Sequence, residues 1–277
     1  MGVRIVAGSC RLLGVDAASA VYGWLWRTVA PFNRRHARAL ANLALAFPEK
    51  TAAEREAIAR AAWDNLGRVM AEGFLLDRLA ADASRFEDHA TAAFAARKAE
   101  GRGLVVVSAH FGNWELGASG VGQAGFRTAG VYKALHNPIV DEMVRALRVA
   151  FYPGGLLPRG PEAPRRLIAH VRGGGAMVIL GDLRDGGGVE TPFFGHPARS
   201  TPFPALVARV LNAPLMAGRV TRLKGARFRF DCETIDVPRT ADRDADVKAA
   251  TEAMAAVFER WIRETPDQWM WGMRRWR

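Results

Sequence analysis

The sequence predicts an α/β fold in which helices flank a mixed, mainly parallel central sheet. Apolar runs rich in β-branched residues, and other strand-like stretches, indicate strands at 104–109, 128–133, 156–159 and 176–182. Helical stretches lie between them at 137–150 and 162–172. Strands that alternate with helices are typical of parallel sheets. The chain has 277 residues, of which 49% are hydrophobic, so it is long enough to bury one large core.

Residues 1–32 are predicted to form an amphipathic, membrane-associating segment, separate from a single α/β domain over 33–277. The segment is apolar, but four charged residues interrupt it: Arg4, Arg11, Asp16 and Arg27. No uncharged apolar run of about 18 residues remains, so a transmembrane helix is not expected. Trp24 and Trp26 suit the headgroup level of a bilayer. A first helix docked on the core is an equal alternative.

The remaining elements follow from local signals. Two helices are expected between 33 and 79, and a capping box of Thr51 and Glu54 opens the second. Later elements are predicted in this order: a strand at 86–90, a helix ending near 100, a helix at 203–211, strands at 214–220 and 227–234, and a helix at 246–264. The glycine-rich stretch 182–195 (DLRDGGGVETPFFG) is predicted to be a long loop beside the end of the strand 104–109.

The composition points to an anionic partner. Lys and Arg number 39 and Asp and Glu number 28, so the formal net charge is +11. Such a surface attracts nucleic acid, anionic lipid or an acidic carrier protein, and charge alone does not choose among them. Cys10 and Cys232 share no motif, no metal-ligand spacing is present, and no nucleotide-binding fingerprint fits. The sequence therefore predicts no metal and no cofactor.

The strongest candidate for chemistry is HFGNWE at 110–115, an HX4E motif. His110 follows the strand 104–109, and open α/β sheets bind ligands where their strands end. Gly112 and Asn113 permit a turn, because glycine tolerates positive φ and asparagine can cap a helix. In such a turn Glu115 could accept a hydrogen bond from one imidazole nitrogen, so that the other acts as a base. The alternative is an ordinary histidine without a catalytic role.

The carboxyl-terminal stretch 266–277 (PDQWMWGMRRWR) interleaves tryptophan with arginine. Indole and guanidinium together suit a membrane interface or a phosphate-bearing ligand. Stacking on single-stranded nucleic acid and packing of the tryptophans into the fold are the alternatives. No nucleic-acid motif is present to support a basic nucleic-acid-binding protein.

Four stretches together resemble the lipid A late acyltransferase family, whose mycobacterial relatives acylate phosphatidylinositol mannosides. They are ALANLALAFP at 39–48, HFGNWE at 110–115, TPFFG at 191–195 and the carboxyl-terminal PDQWMW…RRW. The resemblance implies an α/β fold like that of the lysophospholipid and glycerolipid acyltransferases. It also implies an O-acyltransferase at the cytoplasmic face of the inner membrane. The acyl donor would be acyl carrier protein or acyl-coenzyme A, and the acceptor a membrane glycolipid such as a lipid A precursor. No nucleic acid is expected as a partner.

The resemblance matches His110 and Glu115 to the catalytic pair of the family, with His110 as general base oriented by Glu115. Backbone N–H groups near Gly112 and Asn113 are candidate donors to the thioester oxyanion. Asp182 stands where the family carries an acidic residue and would have a supporting, orienting role. Three cations on the same sheet edge are candidates for holding phosphate groups of either substrate: Lys133, Arg159 and Arg184.

Overall fold

The computed structural model describes residues 2–276. Its amino-terminal part is helical: α1 (Gly2–Leu13), α2 (Val15–Val29), α3 (Arg34–Ala46), α4 (Ala52–Glu72) and α5 (Leu76–Ala81). The capping box of Thr51 and Glu54 opens α4, as predicted. None of the described helices combines the length and the apolar character needed to cross a bilayer.

Helix α2 is docked along α4. A Cβ atom at Gly67 of α4 would collide with the carbonyl oxygen of Tyr22, so the two backbones approach closely only because Gly67 has no side chain. Trp26 stacks on Trp63, with ring centroids 6.3 Å apart. Trp24, on another face of the same helix, is exposed to solvent. One side of α2 thus packs on the protein while another remains apolar and uncovered.

The rest of the chain alternates strands and helices around one large sheet. In chain order the elements are β1 (Phe86–Asp88), α6 (Thr91–Ala99), β2 (Leu104–Ser108), α7 (Gly117–Gln123), β3 (Thr128–Tyr132), α8 (Pro138–Arg148), β4 (Gly155–Pro158), α9 (Ala163–Arg172), β5 (Ala176–Leu180), β6 (Val189–Phe193), β7 (His196–Ser200), α10 (Phe203–Leu211), β8 (Leu215–Arg222), β9 (Phe228–Ile235) and α11 (Arg243–Glu264). The seven-stranded sheet has the order β1-β9-β8-β2-β5-β3-β4. Every neighbouring pair is parallel except β8 and β9, so the predicted mixed, mainly parallel sheet is confirmed.

Strand β2 lies in the middle of the sheet and is buried along its whole length. Its alternate residues serve two cores: Val105 and Val107 belong to the cluster with α10 and α11, whereas Leu104 and Val106 belong to the cluster on the other face. This is why the strand is a continuous apolar run. Strand β5 pairs with it in parallel, and Ser108 lies opposite Leu180. The residues that follow the two strands therefore meet at one edge.

The prediction of a loop over 182–195 is wrong for its second half. Residues 189–193 form β6, which pairs with β7 in an antiparallel hairpin. Buried and exposed residues alternate along β6, and its inward side carries Thr191 and Phe193. This alternation is the sequence signal for a strand, but Pro192 and the preceding glycines obscure it. Buried Arg275 holds the hairpin, since it donates to the carbonyl oxygen of Arg199 (3.1 Å) and to Ser200 Oγ (2.8 Å).

The tryptophans of the carboxyl-terminal stretch pack into the fold. Trp269, Trp271 and Trp276 are all buried in the core cluster that contains α11. Residue Trp269 also forms a β-bridge with Phe111, so the stretch runs beside the HFGNWE motif. Of the alternatives for this stretch, burial is the one found. These three indoles are therefore unavailable for stacking on nucleic acid or for insertion into a bilayer.

Candidate active site

His110 is fixed by the aspartate that follows the neighbouring strand. Its Nδ1 lies 2.8 Å from Asp182 Oδ1, and its backbone N–H donates to Asp182 Oδ2 at 2.8 Å. A carboxylate only accepts hydrogen bonds, so Nδ1 carries the ring proton. Within the described chain Nε2 makes no hydrogen bond, and the His110 side chain is 15% exposed. The arrangement presents Nε2 as a base at the edge of the sheet.

Asp182 is completely buried and accepts a further hydrogen bond, from Trp269 Nε1 at 2.8 Å. Burial alone would raise the pKa of this carboxyl group. The charge of His110, together with the hydrogen bonds from His110 and Trp269, outweighs burial and holds the pKa of Asp182 below its usual value. The carboxylate is therefore ionised and able to stabilise a protonated imidazole.

The prediction of a hydrogen bond between His110 and Glu115 is wrong. Glu115 lies in a short 3₁₀ turn over Trp114–Leu116, and its carboxylate is paired with the guanidinium of Arg148 at the end of α8. Both bonds are short, from Nε to Oε2 and from Nη2 to Oε1, at 2.6 Å each. Physically, the imidazole is turned toward β5, whereas the 3₁₀ turn directs Glu115 toward α8.

The turn itself has the predicted chemistry. Gly112 has a φ of 56°, and a Cβ there would collide with the carbonyl oxygen of Val220, so only glycine fits. Asn113 caps the 3₁₀ turn, because its side chain accepts from the backbone N–H of Glu115 at 3.2 Å. The backbone N–H groups of Gly112 and Asn113 themselves donate to the carbonyl oxygens of Gln268 and Val220. An oxyanion donor near these two residues stays a prediction.

Trp114 links the two halves of the motif. Its ring meets the His110 ring edge-on, with centroids 5.3 Å apart, and its Nε1 donates to Glu115 Oε1 at 3.1 Å. Burial opposes the positive charge of Arg148, but the Glu115 carboxylate more than compensates and raises the Arg148 pKa. The motif therefore holds an imidazole that can act as a base and, beside it, a carboxylate in an ion pair with the charged guanidinium of Arg148.

A base of this kind, in an HX4E motif at the end of a parallel strand, suits acyl transfer. A comparison of the whole sequence with known protein families supports the same conclusion. The sequence model of the bacterial lipid A biosynthesis acyltransferases matches residues 3–277. The chain belongs to this family. Among curated proteins no sequence matches this chain. Family membership makes the protein an acyltransferase of lipid A biosynthesis, and it agrees with the resemblance that the sequence motifs indicated.

In this acyltransferase the three candidate phosphate-binding cations follow three neighbouring parallel strands. Lys133 comes after β3, Arg159 after β4 and Arg184 two residues beyond Asp182 in the segment after β5. All three are exposed, and among residues 2–276 none of their side chains forms a hydrogen bond or ion pair. The structure thus places them on the same edge as His110, and their role stays a prediction. Within residues 2–276 no three His, Cys, Asp or Glu side chains converge as a metal site would require.

Two residues at the acyltransferase site were missed from the sequence. Trp269 lies 87 residues from Asp182 and was assigned only to the basic stretch, although its indole donates to the buried carboxylate. Arg148 lies 33 residues from Glu115, at the end of a helix predicted on its cap alone. Neither spacing follows a local rule, so the sequence carries no local signal for these contacts.

Proposed function

We propose that this acyltransferase moves a fatty acyl chain from an acyl thioester to a hydroxyl of a membrane glycolipid. The donor is acyl carrier protein or acyl-coenzyme A, and the acceptor is a lipid A precursor. The observation that carries the proposal is the geometry of His110: its Nδ1 is bonded to a buried carboxylate, and its Nε2, at the sheet edge, has no hydrogen-bond partner among residues 2–276. The alternative acceptor is another membrane lipid, such as a phosphatidylinositol mannoside, and acylation of that lipid would identify it as the acceptor instead.

The chemistry needs one base and no covalent enzyme intermediate. An alcohol is too weak an acid to attack a thioester unaided, so His110 Nε2 takes the hydroxyl proton while the oxygen bonds to the thioester carbon. Asp182 stabilises the imidazolium that forms and keeps Nε2 directed at the substrate. When the tetrahedral intermediate collapses, the C–S bond breaks and the leaving thiolate receives the proton from Nε2. Asp182 thus takes the orienting role first expected of Glu115.

Cations near the base suit the phosphates that both substrates carry. Arg148 is held in a fixed direction by its two bonds to Glu115, and Lys133, Arg159 and Arg184 lie exposed on the same edge. In the proposed complex these groups bind phosphates of the acceptor or of the phosphopantetheine arm of the donor. Glu115 serves by placing Arg148.

The amino-terminal helices supply the proposed membrane contact, at the cytoplasmic face of the inner membrane. Leu12 and Phe32 are each 90% exposed, and Trp24 is also exposed. Arg4, Arg11 and Arg27 lie on the same helices and are exposed as well. Uncovered apolar side chains among basic residues are typical of helices that lie on an anionic bilayer. The proposal is a peripheral attachment through residues 1–32.

Mass spectrometry of lipids from cells with and without the gene tests the reaction, because the missing acyl group identifies both the donor chain and the acceptor. In the purified protein, His110→Ala should lower the rate of acyl transfer by about 10²–10⁴-fold. The matched control is His89→Ala, because His89 also faces a carboxylate, Asp231 Oδ1 at 3.5 Å, but follows the edge strand β1. Retention of more than about a tenth of wild-type turnover in His110→Ala, well outside that range, would refute the base assignment.

A further inference from the structure

A completely buried carboxylate lies behind the HFGNWE turn. Glu72, the last residue of α4, accepts four hydrogen bonds. Arg222 donates two of them, from Nη1 to Oε1 at 2.6 Å and from Nη2 to Oε2 at 2.8 Å. Ser19 Oγ of α2 donates to Oε1 at 2.6 Å, and Asn113 Nδ2 donates to Oε2 at 2.7 Å. Three distant parts of the chain and the catalytic motif therefore meet at one ion pair.

Two chains of hydrogen bonds connect this ion pair to the motif. In the first, Asn113 donates to Glu72 with its amide nitrogen, while its amide oxygen accepts from the backbone N–H of Glu115. In the second, Arg222 Nε donates to Asn65 Oδ1 at 2.8 Å, and Asn65 Nδ2 donates to the carbonyl oxygen of Gly112 at 3.0 Å. The peptide between His110 and Glu115 is thus held from both sides.

Stability alone is a poor explanation for this cluster. Burying two charges costs several kcal/mol per ion, and apolar residues of similar volume often serve a core as well or better. The gain that a buried, fully hydrogen-bonded pair offers is a fixed geometry. The turn that this pair holds has no room to shift toward β8, because Gly112 already contacts the β8 backbone at Val220.

We propose that Glu72 and Arg222 are positioning residues of the acyl transfer reaction, which act through Asn113 and Asn65 on the turn that carries His110 and Glu115. The inference rests on the proposed function, in which His110 is the base. It also makes α2 part of the support of the active site, because Ser19 completes the set of donors to Glu72. A shift of about 1 Å in a reacting group can cost on the order of 10²-fold in rate.

A reversed hydrogen bond tests the proposal. Asn113→Asp alone sets two carboxylates against each other in the core, and Glu72→Gln alone removes the charge that faces Arg222. In the double variant, the new amide at position 72 can donate to the new carboxylate at position 113, which restores one charge and one hydrogen bond between the same two positions. We expect each single variant to lose about tenfold or more in kcat with little change in KM, and the double variant to regain most of the loss.

The acid side of the pH profile separates this role from that of the base. The cluster does not touch the imidazole ring, so these variants should lower kcat without moving the acid limb. Asp246→Asn is the matched control: Asp246 is also buried and paired with Arg209 at 2.7 Å, but this pair joins α10 to α11. It should lower the melting temperature and leave kcat unchanged. Should the single variants fail to fold, Ser19→Ala and the double variant carry the test, with Ser19→Ala expected to lower kcat severalfold.

The proposal is overturned if folded single variants keep wild-type kcat, or if the double variant is no better than the product of the two single losses. It is equally overturned if neither Ser19→Ala nor a folded double variant behaves as expected. If His110→Ala itself keeps full turnover, the proposed function fails first, whatever the cluster variants do. If His110→Ala is inactive while every cluster variant is normal, only the positioning role is refuted.

Discussion

Asp182→Asn probes the contact on which the proposed mechanism depends. Asp182 accepts three N–H donors: the backbone and Nδ1 of His110, and Trp269 Nε1. An asparagine has one amide oxygen with two lone pairs, so it can satisfy two of these donors at most. Oδ2 already serves the His110 backbone and Trp269, so an amide oxygen at that place keeps both bonds and leaves its NH₂ group facing Nδ1.

The imidazole must then change its tautomer. With an NH₂ group opposite, Nδ1 becomes an acceptor and the ring proton moves to Nε2, so the atom required as the base is blocked. Loss of the carboxylate also removes the charge that stabilises the imidazolium in the transition state. We expect kcat to fall by about 10³–10⁴-fold, the scale found when the acid behind a catalytic histidine becomes an amide. The fold should survive, because two of the three bonds remain.

The assay is kcat/KM for thiol release from an acyl thioester, measured between about pH 5 and pH 9, where an imidazole titrates. The residual activity of Asp182→Asn should have its acid limb at lower pH, because the protonated ring has lost its stabilising carboxylate. Asp185→Asn, three residues on, is the control: among the described residues 2–276, its carboxylate accepts a hydrogen bond only from the nearby backbone N–H of Gly187. A folded Asp182→Asn with a wild-type rate and an unmoved acid limb would show that Asp182 does not hold the catalytic base.

The other contacts of the site and of the amino-terminal helices lead to three further expectations. Glu115→Gln should reduce the rate yet leave the acid limb in place, because the carboxylate binds Arg148 and not the imidazole; a shifted limb would restore the dyad first expected from the motif. Leu12→Asp should weaken sedimentation with anionic vesicles, whereas Val210→Asp, at an exposed apolar residue of α10, should not; equal binding by both variants would move the membrane contact elsewhere. The pKa of Asp182 is lower in the native protein than in the unfolded chain. Its contribution to the free energy of unfolding should therefore be complete above about pH 4 and be lost as the pH falls further. Chemical denaturation at a series of pH values should show that Asp182→Asn loses less of its free energy of unfolding on acidification than the wild type.

The secondary structure was predictable because its signals are local. The buried run of β2, the capping box of α4 and the asparagine cap of α8 each depend on neighbours within a few residues. The hairpin of β6 and β7 was missed because its strands are short, carry prolines and follow three glycines. Its burial depends on Arg275 and on the aromatic stretch, which lie at the far end of the chain.

The active site was predictable only in part, for a reason of register. The motif places His110 and Glu115 five residues apart, and this short separation favoured a direct bond between them. Asp182 is 72 residues from His110, yet the parallel pairing of Ser108 with Leu180 brings the two residues to the same level at the sheet edge. The carboxylate that binds His110 therefore comes from Asp182, after the neighbouring strand β5, and not from Glu115, five residues later in the same motif. Glu115 instead binds Arg148, so the two carboxylates of the site have different partners. In the proposed mechanism one stabilises the proton that the base accepts, and the other fixes a cation beside it. The motif carboxylate does not do both, because Glu115 is directed toward Arg148, which binds its two oxygens, and one of these oxygens also accepts from the Trp114 indole.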